Sequence, residues 1–239
     1  MAGAGKKTFT AGEVLTASDV NTYLMEQSVM YFGGTAARSS AIPTPSTGMT
    51  SYIGATGTAS IPQIETYTGS EWQTPYGLTQ LANVNFTSAA SVTIDNVFSA
   101  TYLSYLMIGN FAVAANSNLN INLRNAGADL GGTSYSSSWY YNQQTGTTAG
   151  ADFSSGGSNL NMQKSNVCRG FYGRVEFFQP FTNTFTHFNW HSTQFDSTTP
   201  FGFTGTGSDS AARVASGFKI NTPSSTMTGN IRIYGLRNS

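Results

Sequence analysis

Asn118-Leu-Asn-Ile-Asn-Leu-Arg124 alternates polar and branched aliphatic residues without a break. A period of two lines Leu119, Ile121 and Leu123 along one side of an extended chain and puts the asparagines on the other, the pattern of a β-strand packed on one face. The pattern repeats outward in both directions. Ser91-Val-Thr-Ile94 and Tyr102-Leu-Ser-Tyr-Leu-Met-Ile108 precede it, and Tyr172-Gly-Arg-Val-Glu-Phe-Phe178, Phe185-Thr-His-Phe-Asn-Trp190, Ala212-Arg-Val-Ala-Ser-Gly-Phe218 and Gly229-Asn-Ile-Arg-Ile-Tyr234 follow. Turn residues separate these runs and no helical pattern intervenes. Residues 80–239 are therefore predicted to form an antiparallel β-sandwich, jelly-roll-like in plan. Gly146 to Asn159 is rich in Gly, Ser, Thr and Ala and is expected to be a long exposed loop.

The chain ahead of this block is organised differently. Thr16 is placed to cap a helix, with Asp19 three residues on as its capping-box partner. Val20, Tyr23, Leu24, Met30 and Tyr31 then recur near a helical period with Gln27 on the same stripe, and Gly33-Gly34 stops the run. A helix of about four turns is marginal alone in water, so this stripe must be buried. It packs either on its own domain or into a parallel bundle around a symmetry axis, where Gln27 makes a polar layer that sets register. Residues 1–35 are thus read as an anchor with one helix. Residues 36–79 are read as a small β-hairpin collar: a proline-stiffened connector from Ala41 to Gly48, strands at Met49–Ile53 and Ile64–Gln73, and a turn at Thr68-Gly69-Ser70 that lets Tyr67 meet Trp72. Tyr76-Gly77-Leu78 is read as a linker.

Composition narrows the function classes. Charged residues make up 9% of the chain and the formal net charge is zero, against roughly a quarter charged in ordinary soluble domains. Apart from Lys6-Lys7 there is no cationic cluster to track a phosphate backbone, so no nucleic-acid partner is expected. A hydrophobic content of 39%, with 16 Phe and 12 Tyr, argues against disorder. Neither an export signal nor a membrane-spanning run is recognisable, and no membrane insertion is expected.

Residues able to carry chemistry are few. Glu13, Asp19, Glu26, Glu65 and Glu71 fall in the first part of the chain, and Asp95, Asp129, Asp152, Glu176, Asp196 and Asp209 in the β-block. No pair of them reads as the two carboxylates of a glycosidase, and Arg174 and Glu176 have the same-face spacing of an ion pair. Asp129 and Asp152 beside glycine-rich stretches read as turn formers. His187 and His191 are four apart on one predicted strand and share a face, which reads as a pair of exposed side chains rather than a metal site. Cys168, between Val167 and Arg169, has no evident general base nearby in sequence and reads as a packed side chain, with no disulfide available. No cofactor or metal is expected. Tyr135, Trp139, Tyr140 and Tyr141 cluster among Ser136–Ser138, Asn142, Gln143 and Gln144, a mixture of flat rings and neutral hydrogen-bonding groups suited to a sugar. The competing expectation is that strand alternation turns half of this run into the core.

Phe9-Thr-Ala-Gly-Glu-Val-Leu-Thr-Ala-Ser-Asp-Val-Asn-Thr-Tyr-Leu-Met25 resembles the N-terminal segment of tailed-bacteriophage minor tail and fibre proteins. Ala36-Ala-Arg-Ser-Ser-Ala-Ile-Pro43, Gly48-Met-Thr-Ser-Tyr52 and Tyr67-Thr-Gly-Ser-Glu-Trp72 are similar to the same proteins in the same order, as is the closing Pro223-Ser-Ser-Thr-Met-Thr-Gly-Asn-Ile-Arg-Ile-Tyr-Gly235. The likeness covers residues 8–73 and the C-terminal end. It implies a homotrimer held to another virion protein by its N-terminal region, with the β-domain facing outward, and it brings no catalytic residues. The expectation is a non-enzymatic virion component, a trimeric fibre or minor tail protein whose head attaches to a host-surface glycan. A capsid-decorating fibre or cement protein without a receptor role, and a polysaccharide-degrading tail component, are the alternatives.

Overall fold

The computed structural model describes residues 10–20, 29–54, 62–74, 77–143, 149–163, 168–196 and 199–237. It is mainly β, and the chain divides into two compact units, 1–76 and 77–239.

In the first unit Thr16 caps α1 (Ala17–Asp19), and both arms of the capping box form. The Asp19 amide donates to the Thr16 hydroxyl at 3.1 Å, and the Thr16 amide donates to the Asp19 carboxylate at 3.2 Å. Val20 closes this turn, and Tyr23, Leu24 and Gln27 lie outside the described residues. Met30 and Tyr31 are not helical. They belong to strand β1 (Met30–Phe32), which precedes α2 (Thr35–Ala41). Strands β2 (Thr50–Ile53), β3 (Gln63–Tyr67) and β4 (Trp72–Gln73) complete a four-stranded sheet in the order β1-β2-β3-β4. The helical stripe is corrected at its C-terminal end because a partner strand distant in sequence is available. Met30, Tyr31 and Phe32 pair in parallel with Ser51, Tyr52 and Ile53, satisfying backbone groups that helical spacing alone assigns elsewhere. Tyr31 stacks on Tyr52 at 5.8 Å, and its ring lies where a Cβ on Gly54 would sit. Tyr67 and Trp72 meet at 5.5 Å across the predicted turn. Arg38 of α2 is buried against Glu65 of β3 and lies over the Trp72 ring.

In the second unit Leu78, read as part of a linker, instead opens strand β5 (Leu78–Ala89). Strands β6 (Ser91–Ile94), β7 (Tyr102–Ser117), β8 (Asn120–Asn125), β9 (Ala128–Asp129), β10 (Tyr135–Gln143), β11 (Ala149–Gly157), β12 (Leu160–Asn161), β13 (Cys168–Phe178), β14 (Thr186–Asp196), β15 (Thr199–Asp209), β16 (Gly217–Asn221) and β17 (Met227–Arg237) follow. They form an eight-stranded antiparallel sheet, β11-β10-β15-β14-β13-β7-β17-β5, and a five-stranded one, β12-β8-β16-β6 with β9 on β8. The expected loop over Gly146 to Asn159 is corrected by β11, which runs antiparallel to β10 and places Tyr141 opposite Gly150. Its glycine- and serine-rich side chains carry no alternation because it is an edge strand, specified by the ladder on its one paired side.

The two sheets share one core. Phe177 on β13 of the larger sheet contacts Phe218 on β16 of the smaller at 4.9 Å, and Phe98 packs against both. Leu119, Ile121 and Leu123 are fully buried, as their alternation predicts. Asn120 and Asn122 are also covered, and the Asn122 amide donates to the Ser158 carbonyl at 2.9 Å.

Candidate binding face

Alternation on the larger sheet sorts its side chains into two populations. Facing the core, Trp190, Val175, Met107 and Ile233 form one rung across β14, β13, β7 and β17. Between such rungs lie those that face away. One runs Tyr140, Thr204, His191, Arg174, Ile108, Arg232 and Asn83 across seven strands, each residue the register partner of the next. The rung beside it runs Asn142, Gly202, Thr193, Tyr172, Asn110, Asn230 and Asn85. On the other flank Phe153, Ser138, Thr206, Asn189 and Glu176 continue the surface. Hydroxyls, amides and aromatic rings thus dominate an extended outer face.

Shallow depressions mark it, three of them lined by described residues. One of about 690 Å³ is lined by Leu106, Ile108, Asn110, Tyr172, Arg174, His191 and Arg232. A second of about 360 Å³ lies on the other side of Tyr172 and His191, toward Thr193 and Thr204. The third, about 420 Å³, is a hydroxyl-lined trough between Ser136, Ser138, Ser154, Thr206 and Ser208, with His187, Asn189 and the exposed Phe153 ring at its border. Local contacts hold several of these groups in place. His191 Nδ1 lies 3.0 Å from the Thr204 hydroxyl, and Tyr172 meets Phe195 edge-on at 5.8 Å. The Asn230 amide donates to the side-chain oxygens of Asn83 at 2.6 Å and Asn85 at 2.9 Å.

The four aromatics singled out for sugar contact do not act together. Tyr135 is 1% exposed and Trp139 5%, both facing the core. Tyr141 is half-buried against Phe201 and Phe203. Of the four, only Tyr140, 55% exposed, presents its ring on the outer face. The correction follows from the pleat, since 135, 137, 139 and 141 fall on one side of β10 and 140 on the other. Burial also pushes the Tyr135 hydroxyl up to about 12, and that hydroxyl accepts from the Leu123 amide at 2.9 Å, a structural role. Sequence reasoning misses Tyr172, Arg174 and Arg232 as members of one surface. Their outward positions are legible in each strand, but their adjacency depends on register between β13, β7 and β17, which no local pattern reveals.

Carboxylates are dispersed among cations. Asp95 and Asp129 both engage Arg124, and Asp129 also takes Lys219, so Asp129 is more than a turn former. Asp209 holds Arg213 at 2.6 Å, and Glu176 lies 3.8 Å from Arg174 as the spacing predicts. Among the described residues no three His, Cys, Asp or Glu side chains group to hold a metal ion. His187 and His191 are both exposed on the outer face.

Cys168 is fully buried, and burial pushes its thiol up to about 12. With so little thiolate near neutral pH, iodoacetamide at pH 8 is expected to leave native protein unmodified and to add one carbamidomethyl group in denaturant. Rapid alkylation of the native chain, read by intact mass, contradicts this burial.

No protein-family model, curated protein or solved structure matches this chain.

Proposed function

We propose that this chain is a bacteriophage virion structural protein, a homotrimeric fibre or minor tail component. Its N-terminal unit attaches to another virion protein, and its β-head binds a glycan on the host surface without cleaving it. The observation that carries the binding role is the outer face of the eight-stranded sheet, where exposed Tyr140, Tyr172 and Phe153 rings stand among serine, threonine and asparagine side chains. Sugar rings stack their C–H faces on flat aromatics, and neutral amides and hydroxyls serve sugar hydroxyl groups with little desolvation penalty. The virion setting is supported by the resemblance of residues 8–73 and 223–235 to phage tail proteins. Trimerisation supplies the mechanism, because three weak sites on one axis gain affinity through effective concentration.

The test has two readouts on one particle. Electron microscopy of particles labelled at the C-terminus of this chain is expected to place the label on tail or fibres, and purified full-length protein is expected to compete with particles for host cells. The Tyr140→Ser, Tyr172→Ser double variant should compete at least about tenfold less well, since stacking on each ring is worth about 1 kcal/mol and the deficit compounds across sites. Label spread over the capsid, with adsorption unchanged when the protein is deleted, overturns the attachment role in favour of capsid decoration. Loss of host polysaccharide on incubation overturns the non-enzymatic role.

A further inference from the structure

The head carries a local concentration of positive charge in an outer depression of about 690 Å³. Arg174 on β13 and Arg232 on β17 are both register partners of Ile108 on β7, one on each side. Strand spacing sets their Cα atoms about 10 Å apart, so the two guanidinium groups rise from either flank of Ile108 and line the same depression of about 690 Å³. Four other cations of this unit are committed elsewhere: Arg124 to Asp95 and Asp129, Arg213 to Asp209, Lys219 to Asp129, and Arg169 to the Ala114 carbonyl. Arg174 has only Glu176, at 3.8 Å and well exposed, a weak screened contact. Arg232 has neither a hydrogen bond nor an ion pair among the described residues, although the chain spends only 9% of its residues on charge. Tyr172 stands beside the pair with 41% of its surface free, and Asn110 adds an amide.

We infer that this depression binds an anionic saccharide, its acidic group held between Arg174 and Arg232 and its ring laid on Tyr172. The inference rests on the glycan-binding role proposed above and names the ligand class. A planar fork of donors suits a carboxylate or phosphate oxygen pair better than an uncharged hydroxyl. The apolar floor of Leu106 and Ile108 excludes water on one side and strengthens that contact.

The experiment uses full-length protein on an array of uronate-, sialate- and phosphate-bearing saccharides with their neutral counterparts, alongside Arg174→Gln, Arg232→Gln and the double variant. Both arginines are exposed, so melting temperature is expected to stay at the wild-type value. Acidic saccharides should be retained over neutral ones, with retention falling as salt rises. Each single variant should bind them about tenfold or more weakly. Preference for carboxylated over phosphorylated sugars, or the reverse, identifies the acidic group, and either supports the site. Retention of neutral saccharides alone, or of acidic ones undiminished in the double variant, overturns the anionic site and leaves glycan binding standing. Failure to retain any saccharide removes glycan binding itself. A change in sedimentation coefficient in either arginine variant makes the face an interface between copies of this chain and overturns the site as well.

Discussion

Gly205→Val is expected to unfold the second unit or to lower its stability by about 3 kcal/mol or more, and Gly205→Ala by somewhat less. Gly205 of β15 is the register partner of Trp139 on one side and Trp190 on the other. A Cβ at this position meets the Trp190 ring at 2.2 Å, well inside van der Waals separation. Trp190 is fully buried, with Val175 as its other cross-strand partner, so the ring has little room to retreat. The same strand provides a control. Gly202 faces outward with nothing within 4 Å of its own added Cβ, and Gly202→Ala should change stability by no more than about 0.5 kcal/mol. Denaturant midpoints of the two alanine variants measure the difference. Trp190→Phe in the Gly205→Ala background should recover part of the loss, because the smaller ring vacates the space. Equal midpoints for Gly202→Ala and Gly205→Ala rule out the indole lying over Gly205.

That packing explains why the fold is partly legible in the sequence and the binding face is not. Leu119, Ile121 and Leu123 can be assigned to the core because alternation is local and all three are buried. The Thr16–Asp19 capping box is legible for the same reason, its partners being three residues apart. Met30–Phe32 reads as helix because its stabilising partner is Ser51–Ile53, invisible to a helical-period argument. β11 reads as loop because glycine and serine carry no strand signal when the neighbouring strand is unknown. Tyr135, Trp139, Tyr140 and Tyr141 group together by proximity in sequence, whereas the pleat separates them by face. The surface that replaces them draws on strands from β5 to β17, and only their register brings Tyr172, Arg174 and Arg232 together.

In the first unit the largest effect is expected from Glu65→Ala. Arg38 and Glu65 are 6% and 7% exposed, a charged pair inside a small sheet. The Arg38 guanidinium donates to Glu65, lies 4.3 Å over the Trp72 ring, and is pulled below its ordinary pKa by burial. Gln63 supplies Glu65 with a second donor at 2.7 Å. The pair is therefore held from both sides, and its members tie α2 to β3. Removing the carboxylate leaves a buried guanidinium facing apolar and aromatic surface, at a cost of about 3–5 kcal/mol. That is a large share of what a unit of this size can hold in reserve. Glu65→Gln should lose less, since the amide oxygen still accepts, and Arg38→Met with Glu65→Leu should regain most of the stability because neither charge is then stranded. Hydrogen exchange read by peptide resolves the first unit from the second. Protection in Thr50–Ile53 and Gln63–Tyr67 should fall in Glu65→Ala while β7 and β13 stay protected. Unchanged exchange in those two strands means the ion pair does not hold the unit together.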